Sequence, residues 1–312
     1  SFMHDYHEHN LEEFDDNTLY LPYATSLRMG DIGYQNSQED EKGVKANYNS
    51  LCHYIFSLRA AMKTSCEDFE KIGLKKNGEY QQLNTNILQI ANEYYSSVRP
   101  KPILYGNDRP LRALNNNGIG YIEIRSLDIN PLLEVGIDKE QIEFLEAFLL
   151  FCLLEDSPAI SSSELVEIDS NALLVAHQGR KPNLILKNIG EKETLADWGE
   201  SLFEKIKQCS KLLSNAHQES VESISIRIKN PDLTPSAIML NEMKRQEKGF
   251  FEFTDQYSHK YKTQNQEKAF DKDYFLRLDE HSIRSIKEQL EVESKDDINF
   301  DQFLEKYFED DA

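Results

Sequence analysis

Gly118-Ile119-Gly120-Tyr121-Ile122-Glu123-Ile124-Arg125-Ser126-Leu127-Asp128-Ile129-Asn130-Pro131 is the stretch on which the fold of this chain turns. Gly120 and Pro131 delimit a short strand, and a strand sends alternate side chains to opposite faces. Tyr121, Glu123 and Arg125 are expected on one face, with Ile122 and Ile124 making the other fully apolar. A fixed carboxylate beside a fixed guanidinium has two uses. The pair either closes a cross-strand salt bridge, or the carboxylate holds a divalent cation while the guanidinium holds a phosphate or carboxylate.

Around that strand the chain alternates helical stripes with irregular segments. Leu51, Tyr54, Ile55, Leu58 and Met62 recur at spacings of three and four between Ala46 and Lys63, predicting an amphipathic helix that carries His53 as a surface or core packing residue rather than a ligand. Asn77-Gly78 predicts a hairpin joining Lys71–Leu74 to Tyr80–Leu83. Asn86–Val98 is helical or mixed until Pro100, and Asn84, Asn86 and Asn92 offer side chains to its backbone. Phe144, Phe148 and Phe151 widen the apolar face of a helix over Asp138–Glu155, which predicts burial on most sides. Ser161-Ser162-Ser163-Glu164 reads as the N-terminal cap of a helix reaching His177, broken by Gly179-Arg180-Lys181-Pro182. Leu195, Trp198, Leu202, Ile206, Cys209 and Leu213 predict another helix, and at least one more follows before Gln246. Beyond Gln246 charged residues and single aromatics alternate, predicting a peripheral helical tail over residues 247–312.

Composition narrows the function. The 312 residues suffice for one large domain or two ordinary ones, and 39% hydrophobic with 29% charged residues describes a globular protein. A net charge of −20 argues against nucleic acid and anionic membrane surfaces as partners. An anionic substrate would need local arginines or a metal ion to reverse that field, which draws attention to Arg28, Arg99 and Arg125. Cys52, Cys66, Cys152 and Cys209 lack Cys-x-x-Cys spacing, as in a reducing cytoplasm. The apolar run Phe144–Leu154 is about half the length of a bilayer span. Ser1-Phe2-Met3 does not read as a natural start, so a longer parent chain is expected.

Dinucleotide, Walker-type and Gly-x-Ser-x-Gly motifs are all missing from the sequence. His4, His7 and His9 have a spacing that can bind zinc or nickel, but a solvated terminus with chance histidines is the favoured reading. What remains is a set of polar groups on non-helical backbone: Arg28, Tyr34, Tyr95, Glu123 and Arg125. That set suits anion and metal binding better than covalent catalysis.

The blocks Tyr20–Arg28, Asn86–Ile90, Tyr121–Pro131, Ser161–Leu165, Gly179–Pro182 and Asn230–Thr234 resemble, in order and spacing, glutamate–cysteine ligase of the common bacterial type. The resemblance reaches to about Gln246. It implies ATP-dependent joining of the glutamate γ-carboxylate to the amine of cysteine through γ-glutamyl phosphate, the first step of glutathione synthesis, in the cytoplasm. Its implied fold is α+β, with short antiparallel strands of a glutamine-synthetase-like sheet and a mainly helical remainder. Residues 1–246 would be the C-terminal portion of the catalytic domain. The resemblance makes Glu123 a ligand of Mg2+, Arg125 the clamp on the transferred phosphoryl group and Arg28 its support, with Tyr34 and Tyr95 around the incoming cysteine. Ala91 stands where the family usually has glutamate, and the strands bearing the family's other metal-binding glutamates have no counterpart here. The chain by itself is therefore expected to be inactive, with glutamate, cysteine and ATP as substrates and the N-terminal portion as a partner. Two other functions stay open: a related carboxylate–amine ligase with a different acceptor, and a non-catalytic binding fragment.

Overall fold

A computed structural model describes residues 10–33, 45–105, 108–268 and 271–309. Along the chain come β1 (Glu12–Asp15) and β2 (Thr18–Tyr20), then α1 (Leu51–Lys63), α2 (Glu67–Ile72), β3 (Lys75–Lys76), β4 (Glu79–Tyr80), β5 (Val98–Lys101), α3 (Pro110–Asn117) and β6 (Tyr121–Ile124). There follow α4 (Lys139–Leu154), α5 (Ser162–Gln178), β7 (Ile185–Asn188), β8 (Glu191–Thr194), α6 (Leu195–Ser210), α7 (Asn215–Lys229), α8 (Pro235–Gln246), α9 (Phe250–Glu267), α10 (Lys272–Glu293) and α11 (Phe300–Glu309). Among the described residues the strands form only two-stranded pairs, β1 with β2, β3 with β4, β5 with β6 and β7 with β8, so the chain is mainly helical.

The chain divides into two compact units, one of residues 1–35 and 124–261, the other of 36–123 and 262–312. The second is built on α1, which starts at Leu51, where the Ser50 side chain caps it by accepting from His53 N. Ala46 lies ahead of the helix, and its N–H donates to the buried Tyr94 hydroxyl at 3.0 Å. Tyr54, Ile55, Leu58 and Met62 pack with Leu88, Ala91, Tyr94, Leu111 and Leu114 into one core. The Asn-Gly turn is present, with both residues at positive φ (54° and 87°), but it joins β3 to β4 rather than the longer strands expected. Residues 67–72 are instead helical, with three acidic residues in the first turn favouring the helix N-terminus. Asn86–Val98 forms a single 3-10 turn at Ala91–Glu93. Its backbone is held as the asparagines suggested: Asn84 Nδ2 donates to Gln89 O and Asn86 Nδ2 to Met62 O.

In the first unit α4, α6 and α7 pack around Ala147, Phe151, Ile206 and Val221. The Ser161–Glu164 capping box is formed at the start of α5. Burial of α4 on most sides is not observed: only Glu143, Ala147 and Phe151 are buried, while Leu153 is 80% exposed. Its apolar face is wider than the two helices that cover it. The tail forms the helices α9, α10 and α11 with short non-helical segments between them, and α10 has no buried residue. The start of α9 is not peripheral, because Phe253 is 0% exposed and Phe250 N donates to Thr18 Oγ1 at 3.0 Å.

The α4–α7 contact includes one buried carboxylate. Glu143 accepts from the Ser220 hydroxyl at 2.7 Å and lies 3.3 Å from Lys139 Nζ. The Ser220 hydrogen bond, followed by Lys139, holds its pKa below the ordinary 4.5. A carboxyl depressed in the folded state stabilises above its ordinary value and loses that contribution as pH falls through the folded value. Ser220→Ala is expected to destabilise at pH 7 and to flatten the loss of stability below about pH 5. Denaturation midpoints at pH 7 and pH 4 check this; parallel losses in both proteins would count against it.

Candidate functional site

The division between the compact units falls between Glu123 and Ile124, so the expected site residues are seen in two local settings. Glu123 and Tyr95 belong to one unit, Arg28 and Arg125 to the other. Tyr34, like His4, His7 and His9, lies outside the described residues.

Glu123 stands on β6, which pairs with β5. The approach is close, because Gly120 N donates to Lys101 O at 2.8 Å and a Cβ on Gly120 would sit 2.9 Å from Ile103 N. Arg99 Nη1 and Lys101 Nζ lie 3.8 and 3.6 Å from Glu123 Oε2. A cross-strand ion pair therefore exists, and its cations come from β5. Neither contact is a hydrogen bond: Glu123 Oε2 and Arg99 Nε are both buried without a hydrogen-bond partner. Arg99 is itself buried, beside Tyr54, whose phenol is pushed up by burial against the opposing influence of the Arg99 charge. The fully apolar opposite face is not realised as a buried surface, since Ile122 is 51% exposed. A two-stranded pair leaves that face uncovered.

Arg28 sits in the 3-10 turn Leu27–Met29. Its Nε donates to Asp128 Oδ1 at 2.6 Å, and Nη2 donates to Arg125 O and Leu127 O at 3.1 Å each. One guanidinium thus fixes the backbone that follows β6, and charge assistance strengthens these bonds. The turn is clamped to the end of α5. Thr25 donates to Ala176 O through N and to Val175 O through Oγ1, while His177 Nε2 lies 2.8 Å from Asp31 Oδ1. Arg125 is half-buried.

Tyr95 is half-buried, while its neighbour Tyr94 fills the core. Ala91 is buried in the same core, and Glu93 Oε2 accepts from Gln89 N at 2.7 Å. Among the described residues no group of three His, Cys, Asp or Glu side chains is placed to hold a metal ion. Glu123, whose Oε2 is ion-paired to Arg99 and Lys101 without a hydrogen bond, supplies at most one ligand of a magnesium site and not a complete site.

Lys101 and Asp128 were missed in the sequence. Lys101 shares a strand face with Arg99, a period-two signal that Pro100 obscured by arguing against a strand. Asp128 stands 100 residues from Arg28, and no local pattern announces such a pairing.

The family model described as glutamate–cysteine ligase matches residues 1–175. The chain belongs to the glutamate–cysteine ligase family. Glutamate–cysteine ligases of Pseudomonas paraeruginosa and Pseudomonas entomophila are 42% and 41% identical over 302 and 304 residues, covering 95% and 96% of this chain. The match spans 57% of the length of each relative. Among solved structures, a glutamate–cysteine ligase from Francisella tularensis in complex with AMP has a TM-score of 0.85 at 29% identity, covering 96% of this chain and 61% of that one. A bifunctional glutathione synthetase from Pasteurella multocida shares the fold at a TM-score of 0.56 and 19% identity, over 80% of this chain and 28% of that one. Arg28, Tyr34, Tyr95, Glu123 and Arg125 all fall within the segment that the ligase family model matches.

Proposed function

We propose that this chain carries the C-terminal part of a ligase site that uses ATP to join the γ-carboxylate of glutamate to the amine of cysteine through γ-glutamyl phosphate. The observation that carries this reading is the family match over residues 1–175, which contains every expected site residue. In it Arg125 offsets charge on the transferred phosphoryl group, and Arg28 supports it by fixing the backbone from Arg125 to Asp128. Phosphoryl transfer to a carboxylate gathers several anionic oxygens, and a preorganised guanidinium stabilises that charge without reorganising. The AMP in the Francisella tularensis relative supports a nucleotide here. Tyr34 and Tyr95 line the cysteine side, residues 1–246 form the catalytic portion and 247–312 the tail. β5 and β6 belong to a wider glutamine-synthetase-like sheet.

Glu123 contributes one ligand to Mg2+, whose other ligands would lie outside the described residues. Magnesium supplies charge neutralisation on the nucleotide phosphates. Among the described residues no helix is long and apolar enough to cross a membrane.

The lone carboxylate favours a second reading of the chain by itself, as a binding module without turnover. ADP release from ATP with glutamate and cysteine separates the two. Turnover is expected when the chain is supplied with the part of the Pseudomonas paraeruginosa ligase outside the match, and not from the chain alone. Robust turnover by the chain alone overturns the incomplete-site reading, and ADP release indifferent to cysteine overturns the acceptor. Tyr95→Ala is expected to raise KM for cysteine several-fold with KM for ATP unchanged, as measured by initial rates.

A further inference from the structure

A cavity of about 720 Å³ opens within the unit of residues 1–35 and 124–261. Its walls come from β2 and the loop after it, from Leu127–Pro131, from α8 and from Phe250, with Arg180 among the lining residues. Leu21, Ile129, Met239, Met243 and Phe250 make the lining mainly apolar. That volume and mixture, an apolar wall with few polar groups, is the usual character of a small-molecule site. Unbranched methionines let such a wall adapt to a flexible chain.

The charge on the wall is not balanced. Arg28 is matched by Asp128 at 2.6 Å. Arg180, only 9% exposed, donates Nε to Ala24 O at 2.9 Å and Nη2 to Pro22 O at 2.6 Å, both neutral acceptors. None of the ion pairs among the described residues includes Arg180, and burial pulls its pKa down against only a partial opposing influence of Asp232 and Tyr23. A guanidinium held in an apolar wall without a counter-ion favours an anion that brings its own apolar body.

We infer that this cavity binds a monocarboxylate with an extended aliphatic body, its carboxylate on Arg180 and its body along Ile129, Met239, Met243 and Phe250. The inference does not rest on the ligase reading, although Arg28 and Asp128 line the same cavity. It is tested by titration calorimetry of the chain with decanoate, below its micellar concentration, and with decan-1-ol. Decanoate is expected to bind at one site per chain, at least tenfold more tightly than decan-1-ol. Met239→Trp, which fills the cavity and leaves Arg180 in place, is expected to lower decanoate affinity at least tenfold. Arg180→Lys retains affinity within a few-fold, whereas Arg180→Met falls to the level of the alcohol. If Arg180→Met fails to fold, as judged by circular dichroism, the alcohol comparison and Met239→Trp still decide. Equal binding of acid and alcohol, indifference to Met239→Trp, or displacement of decanoate by millimolar glutamate each overturns the assignment. The last outcome would make the cavity an amino-acid pocket.

Discussion

Phe253→Ala is expected to lower the stability of the unit formed by residues 1–35 and 124–261 by about 3–5 kcal/mol, as for other fully buried phenylalanines. Phe253 is 0% exposed and packs against Tyr257 with ring centroids 5.0 Å apart. The backbone just before it has no slack, since a Cβ on Gly249 would fall 2.6 Å from Thr18 Oγ1. The cavity left by truncation therefore has little chance to collapse, which places the cost high in the range. Urea denaturation followed by circular dichroism measures it. A loss under 1 kcal/mol would mean that α9 is detachable, as the alternating charges of the tail suggest.

Arg125→Ala is expected to lower kcat by on the order of 10²–10³-fold in the ligase assembled from this chain and the unmatched part of the Pseudomonas relative, as when one charge-stabilising donor is lost. KM for cysteine should change little, because the guanidinium is assigned to the transferring phosphoryl group and not to the acceptor. Arg28 bonds to the carbonyl of Arg125 and not to its side chain, so that truncation leaves the Arg28–Asp128 clamp intact. An unchanged melting temperature is the control. A drop confined to KM for cysteine would move Arg125 to the acceptor side, and an unchanged kcat would remove it from the chemistry.

Several elements were legible because their signals are local. The Ser161–Glu164 capping box, the apolar face of α4 and the three-four spacing in α1 and α6 each lie within a few turns of chain, and all four helices form. The Asn77-Gly78 turn was equally readable, but the strands it joins were not, since a turn fixes a reversal without fixing how far pairing runs. The extent of burial was the least readable property. The Phe-rich face of α4 promised a covered helix, yet burial depends on which neighbours reach it, and Leu153 remains exposed.

By itself the sequence determined the family, through blocks that match in order and spacing, and most helix positions, through caps and periodicity. The five residues proposed for the site came from the resemblance, and all five lie in the segment that the family model matches. Only the tertiary structure decided what those residues touch. It set Glu123 against Arg99 and Lys101 on β5, joined Arg28 to Asp128 across 100 residues, and tied Arg180 to two backbone carbonyls in an apolar wall. Such pairings are set when the chain folds back on itself. Charge and burial then act over a few ångströms of space, however many residues separate the partners.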